Sequence, residues 1–184
     1  MIPQTAVYPF ALVAAAFVAW RAVKRGRPAP QALARALLVL YVGWILSMTF
    51  FPMPVRAADI HHYRQISAAN GHGFSYNVVP FRSIRQQVDY SSAFQKVRQL
   101  GGNVLVFTPF GLLLPLAIPR FGRWRRVLLT GLAFSLAIEF GQLVVSLVLG
   151  YTYRVTDIDD VILNLTGVLL GYGLLRLVSV MLLV

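Results

Sequence analysis

The sequence contains no cysteine, which excludes disulfides, a thiol nucleophile and thiolate metal ligands and leaves the redox compartment unreadable. Acids are scarce: six Asp and Glu stand against 17 Lys and Arg in 184 residues. No glycine-rich phosphate loop is present; Gly71 and Gly73 merely flank His72 in a polar stretch. His61-His62 lacks the i,i+4 partner of a zinc-binding helix, so no metal site and no cofactor is specified. There is no soluble domain, low-complexity linker or internal repeat. The lack of a repeat speaks against a secondary transporter built from inverted halves.

What is present is apolar. Hydrophobic residues make up 58% of the chain, well above the globular average, and the length fits one domain. A net charge of +11 on a soluble domain would suggest nucleic acid. Here the cations form short blocks between apolar runs, which is the pattern of membrane topology, so no nucleic-acid partner is expected. The expected fold is an all-α polytopic membrane protein, one integral-membrane domain over residues 1–184 with about five transmembrane helices.

Each expected span is near the ~20 residues a bilayer requires. They run about Thr5–Val23, Ala34–Phe51, Gly101–Ile118, Val127–Leu149 and Asp160–Leu182. Arg21, Lys24, Arg25, Arg27 and Arg35 form an acid-free block after the first span, and Arg120, Arg123, Arg125 and Arg126 another after the third. Both are assigned inside, which puts the N-terminus outside and the C-terminus in the cytoplasm. The long connection Met53–Gln99 then faces outward, although it too is basic. Two short amphipathic helices are expected in it, because Ser83–Gln86 and Ser92–Gln95 each fit a capping box. Phe81, Ile84 and Val88 give the first an apolar face suited to lying on lipid. Pro109 removes a bond to the Leu105 carbonyl and predicts a kink or broken turn in the third span.

The chemistry concentrates in Tyr153–Gly171, which carries Arg154, then Asp157, Asp159 and Asp160, then Asn164, Gly167 and Gly171. On a helix, Asp160, Asn164, Gly167 and Gly171 share one side. The two glycines make a small-xxx-small seam for another helix and a candidate surface for homo-oligomerisation. Thr156 with Asp159 matches a capping box, and first-turn acids suit the helix dipole, so Asp157 and Asp159 read as caps. A headgroup or divalent cation is the functional alternative for this acidic group. Glu139 is the sharpest single residue. It shares a face with Ser135, Gln142 and Ser146 and lies near mid-bilayer, where an unpaired charge is costly. It is a base, a ligand contact, or a neutral acid bonded to an amide such as Asn103 or Asn164. It also lies much deeper than Asp160, so the two meet only if the fourth helix is tilted, broken or short.

Three ordered patterns carry a resemblance. Asn103, Phe107, Pro109 and Gly111 form N-x-x-x-F-x-P-x-G; Glu139 and Gln142 form E-x-x-Q; Arg154, Asp160, Asn164 and Gly167 form R-x5-D-x3-N-x2-G. With the earlier Asn77-Val-Val-Pro80-Phe81, the set resembles the VanZ-like family, membrane proteins named after a teicoplanin-resistance protein. The resemblance spans roughly residues 41–177. It implies a shared polar site at Asn103, Glu139, Gln142, Arg154, Asp160 and Asn164 in a bacterial plasma membrane. The resemblance does not name the chemistry, and two functions are weighed: a non-catalytic envelope protein binding a lipid, a lipid-linked wall precursor or a glycopeptide at the outer leaflet, or, because one deep acid converges on the carboxylate–amide stripe, a membrane-embedded enzyme with Glu139 as base and Asp160 orienting the substrate or holding a metal.

The cysteine-free background gives a direct test of orientation. Single cysteines at Thr152 and His72 should react with an impermeant thiol reagent in intact cells. Labelling of both only after lysis would invert the topology.

Overall fold

A computed structural model of the chain describes residues 1–69 and 74–181; His72 lies outside the described residues. Five helical stretches are long and apolar enough to cross a membrane: Gln4–Lys24, Ala29–Phe50, Ala93–Ala117, Trp124–Leu149 and Ile158–Met181. The protein is an all-α, multi-pass membrane protein. In chain order the helices are α1 (Tyr8–Lys24), α2 (Ala29–Phe50), α3 (Ala57–Ala69), α4 (Arg82–Tyr90), α5 (Ala93–Lys96), α6 (Gly102–Ala117), α7 (Trp124–Leu149) and α8 (Ile158–Met181). Two short strands, β1 (Tyr76–Asn77) and β2 (Thr156–Asp157), pair in parallel.

The core lies where α2, α6, α7 and α8 meet, around Ile45, Phe107, Phe110, Leu114, Val127, Ile138 and Val168. Phe110 stacks on Phe134 with ring centroids 5.2 Å apart. Helix α1 stands outside this group against α2, where Gly43 lies beneath Ala11. Large apolar side chains such as Phe10, Val13, Leu129 and Phe140 point outward, as a lipid-facing surface requires.

The closest approach is between α6 and α8, which run parallel. A methyl group on Gly167 would strike the Val104 carbonyl, one on Gly171 the Thr108 carbonyl, and one on Gly111 the Val168 carbonyl. Without a hydrophobic drive between helices in lipid, such backbone proximity is what dispersion forces reward. The partner of the Gly167/Gly171 seam is therefore α6 of the same chain. Homo-oligomerisation through that seam, expected from sequence, has no room.

Other boundaries also differ. Helix α2 begins at Ala29 rather than Ala34, because Pro30 sits in the first turn, where a missing amide hydrogen costs nothing. The Ser92–Gln95 capping box forms, with Ser92 Oγ accepting from the Gln95 amide at 3.3 Å and Gln95 Oε1 from the Ser92 amide at 3.0 Å. The helix that it opens does not lie separately on lipid. It runs through a π-helical turn at Val97–Gly101 into α6, which also continues past Pro109 and Pro115. Helix α3 was not expected at all; Arg64 ties it to the end of α7 by donating from Nε to the Leu149 carbonyl at 2.5 Å.

Alanine at Gly171 or Gly167 should lower stability in detergent by about 1–3 kcal/mol, the usual cost of overpacking. Alanine at Gly173, where an added methyl meets nothing within 4 Å, should be neutral or slightly stabilising. Thermal unfolding of the three variants checks the contrast, and equal behaviour at 171 and 173 would contradict the seam.

Candidate functional site

Helix α7 ends at Leu149, roughly 15 Å beyond Glu139 along its axis. The chain does not start α8 from that height. Residues 150–157 fold back along the last turns of α7. Ser146 Oγ accepts from the amide of Tyr153 at 3.1 Å and donates to the Arg154 carbonyl at 3.3 Å. Lower down, Glu139 Oε2 accepts from the Asp157 amide at 2.8 Å. Helix α8 thus begins at the level of Glu139, and the depth mismatch between Glu139 and Asp160 disappears although α7 is unbroken over Trp124–Leu149.

This fold-back brings the polar side chains together in two tiers. In the lower tier Asn164 Nδ2 donates to Ser135 Oγ at 2.9 Å, fastening α8 to α7. Glu139 is buried and committed to the Asp157 amide. In the upper tier Asn103 Nδ2 donates to Asp160 Oδ1 at 2.5 Å, fastening α8 to α6. Gln142 is half-buried beside the fold-back.

Asp157 and Asp159 are caps, as the sequence suggested, but not in the expected way. Asp157 Oδ1 accepts from the Asp159 amide at 2.9 Å, so Asp157 rather than Thr156 caps α8. Asp157 Oδ1 also takes Asn77 Nδ2 at 2.8 Å. Asp159, 1% exposed, serves a different helix. Its Oδ1 accepts from the Phe81 amide at 2.5 Å, and its Oδ2 from the amides of Ser83 and Ile84 at 2.8 and 3.1 Å. The N-cap residue of α4 is Phe81, and the capping acceptor comes from Asp159 across the chain. The Ser83–Gln86 capping box does not form, because its donors are already taken. Phe81 is held at φ 65°, a left-handed conformation that is costly for an aromatic residue, and the Asp159 carboxylate pins it there.

Above these caps opens a polar cleft of about 780 Å³ between α2, α4, α6 and the start of α8. Asn103, Asp160 and Arg154 line it, joined by Arg98, Gln87 and Gln95. Glu139, Gln142 and Asn164 do not; they lie behind the wall as its scaffold. Among the described residues the one ion pair joins the N-terminus to Asp59 at 3.7 Å. Arg98 and Arg154 therefore face the cleft without a carboxylate within ion-pair reach. Gln87 Oε1 is shielded from solvent and has no partner. No three acids or histidines among the described residues are grouped to hold a metal ion. At the rim, burial raises the pKa of Tyr153 against the pull of the Arg154 cation, and its neutral hydroxyl donates to the carbonyl of Phe50 at 3.2 Å and to that of Pro52.

A family model described as VanZ/LLP1 matches residues 38–179. The chain belongs to the VanZ/LLP1 family. Protein VanZ of Enterococcus faecium is 31% identical over 145 residues, covering 77% of this chain and 74% of that protein. No solved structure matches. The VanZ/LLP1 match begins inside α2 and includes every residue of the cleft, leaving α1 outside it. Sequence reasoning quoted Asn77 in the family pattern but gave it no role, and it assigned no site role to Arg98 or Gln87. The one available signal was the Asn77–Phe81 pattern; nothing local ties it to Asp157 or Asp159.

Replacing Asp159 by Ala should cost more than about 2 kcal/mol, because three amides lose their acceptor inside the protein. Hydrogen exchange at Phe81, Ser83 and Ile84 should accelerate selectively. Asp159→Asn keeps one carbonyl acceptor and should fall between. Unchanged exchange in Asp159→Ala would remove the trans-cap.

Proposed function

We propose that the protein is a binding protein of the bacterial plasma membrane whose cleft opens toward the outer leaflet and takes a membrane-associated polar ligand: a lipid headgroup, a lipid-linked wall precursor or a glycopeptide. Occupancy of the cleft lowers susceptibility to the antibiotic. The observation that carries this reading is the pair of guanidinium groups, Arg98 and Arg154, lining the cleft without counterions beside Asp160. Such a surface offers charge-assisted donors to a phosphate or carboxylate. Gln87 Oε1 and Asp160 add acceptors for amide, amine or hydroxyl donors. A ligand with both kinds of group fits; a purely apolar one does not.

The orientation rests on charge. Ten of the 17 Lys and Arg lie at the end opposite the cleft: Arg21, Lys24, Arg25, Arg27, Arg35, Arg120, Arg123, Arg125, Arg126 and Arg176, most of them in or beside two short connections that contain no acid. The acid-free connections then face the cytoplasm. The catalytic alternative gains little support. Glu139, its expected base, does not line the cleft, and its carboxylate is engaged by a backbone amide.

The test is expression in a teicoplanin-susceptible bacterium with matched membrane levels. Wild type should raise the inhibitory teicoplanin concentration, and the double variant Arg98→Ala/Arg154→Ala should return it to the empty-vector value. Labelled teicoplanin and a labelled wall precursor, each titrated onto nanodiscs bearing the protein, show which ligand loses about tenfold or more in affinity with that variant. Glu139→Gln preserves an acceptor for the Asp157 amide and should retain most of the phenotype. Full loss of phenotype with binding intact in Glu139→Gln would favour the enzyme instead.

A further inference from the structure

A second site lies at the other end of the bundle, where α7 starts. The N-terminus of a long helix carries free amides and a partial positive charge, and proteins usually place an Asp, Ser or Thr there. Helix α7 does the opposite. Its N-cap is Arg123, no side chain caps it, and no acid lies in its first turn, which reads Trp124-Arg125-Arg126. Arg176 joins from α8, and Arg123, Arg125, Arg126 and Arg176 line one pocket of about 540 Å³ with Trp124 and Tyr172. The pocket is braced rather than floppy. Tyr172 donates its hydroxyl to the Gly122 carbonyl at 2.9 Å, Arg126 Nη1 donates to the Arg120 carbonyl at 2.7 Å, and the Arg125 guanidinium lies 5.5 Å from the centre of the Trp124 ring. None of the six acids of the chain belongs to this end.

On α8, at positions interleaved with Tyr172 and Arg176 of the pocket, lies an open, mostly apolar groove of about 400 Å³ lined by Thr166, Leu169, Leu170, Gly173, Leu174 and Leu177. Gly173 forms its floor, and a methyl group added there meets nothing within 4 Å. Unlike Gly167 and Gly171, it is not needed for contact with α6.

We infer that this end binds one anionic phospholipid, with its phosphate at the uncapped start of α7 among the arginines and an acyl chain along the Gly173 groove of α8. Cations that only set topology would need neither the uncapped helix start nor the adjoining groove. An anion at a helix N-terminus is stabilised by both amides and dipole, and basic pockets between spanning helices suit acidic headgroups. The lipid would also join α7 to α8 at the end remote from the cleft. The inference does not depend on what the cleft binds.

Trp124 provides the probe. In a variant with Trp20 and Trp44 replaced by Phe, nanodiscs containing dibrominated phosphatidylglycerol should quench Trp124 at least twofold more than discs with the same fraction of dibrominated phosphatidylcholine. Arg123→Gln/Arg176→Gln should bring the ratio to about one. Arg25→Gln/Arg27→Gln removes the same charge from the same end outside the pocket and should leave the ratio high. Lysine at 123 and 176 should preserve it, which excludes misfolding as the cause. Gly173→Leu, which obstructs the groove, should lower the preference. Soluble glycerol 1-phosphate should not compete. A ratio of one in the starting protein, equal loss in both double variants, or full competition by glycerol 1-phosphate would each overturn the lipid site.

Discussion

A backbone that leaves helical geometry at membrane depth must find hydrogen-bond partners inside the protein, because hydrocarbon supplies none. The fold-back at residues 150–157 meets that constraint, and the site depends on how. Ser146 and Glu139 offer acceptors at successive heights on α7, and the returning chain is bonded to each in turn. Only this descent sets the start of α8 beside Glu139. Only from there can Asp157 reach Asn77, Asp159 reach the first turn of α4, and Asp160 reach Asn103. Glu139, the sharpest single residue in the sequence, accepts the Asp157 amide at the foot of this descending loop.

The glycine seam completes the arrangement from the other side. Asn103 and Asp160 stand 2.5 Å apart because α6 and α8 approach to backbone contact two turns further along. A larger residue at Gly167 would push the helices apart at the place where the Asn103–Asp160 bond needs them close. The stripe of acid, amide and glycines along α8 is therefore one device. Its polar head closes the cleft wall, and its glycines set the spacing that lets the head bond.

The five spans were legible because length and hydropathy are properties of contiguous residues. So was the common side of Asp160, Asn164, Gly167 and Gly171 on α8, since helical spacing fixes which residues of one helix share a face. What escaped was non-local. The pattern Thr156-x-x-Asp159 reads as a local capping box, yet Asp159 caps a helix whose first residues lie more than seventy positions earlier. The acidic segment after Gly150 reads as a surface turn, since nothing within it announces that Glu139 and Ser146 await its amides. Helix α3 has weak apolar periodicity and is held by Arg64 to the end of α7, again a distant contact. The Gly101-Gly102 pair suggested a helix start but instead lies in a helix already under way, sustained by the Ser92 cap below the threshold at which hydropathy speaks.

The separation of charge adds one further step. Every carboxylate except those at Asp59 and Asp89 is engaged by an amide or a side-chain donor in the fold-back region. None of them is placed to neutralise an arginine, so the cations of the cleft and of the α7 start are both left facing outward from the protein. Uncompensated charge at two opposite ends of a membrane bundle is costly within a low-dielectric slab unless water or anionic headgroups meet it. The acids of the fold-back are spent on amide and side-chain donors within the protein, so the arginines at both ends keep a charge that no carboxylate of the fold-back neutralises.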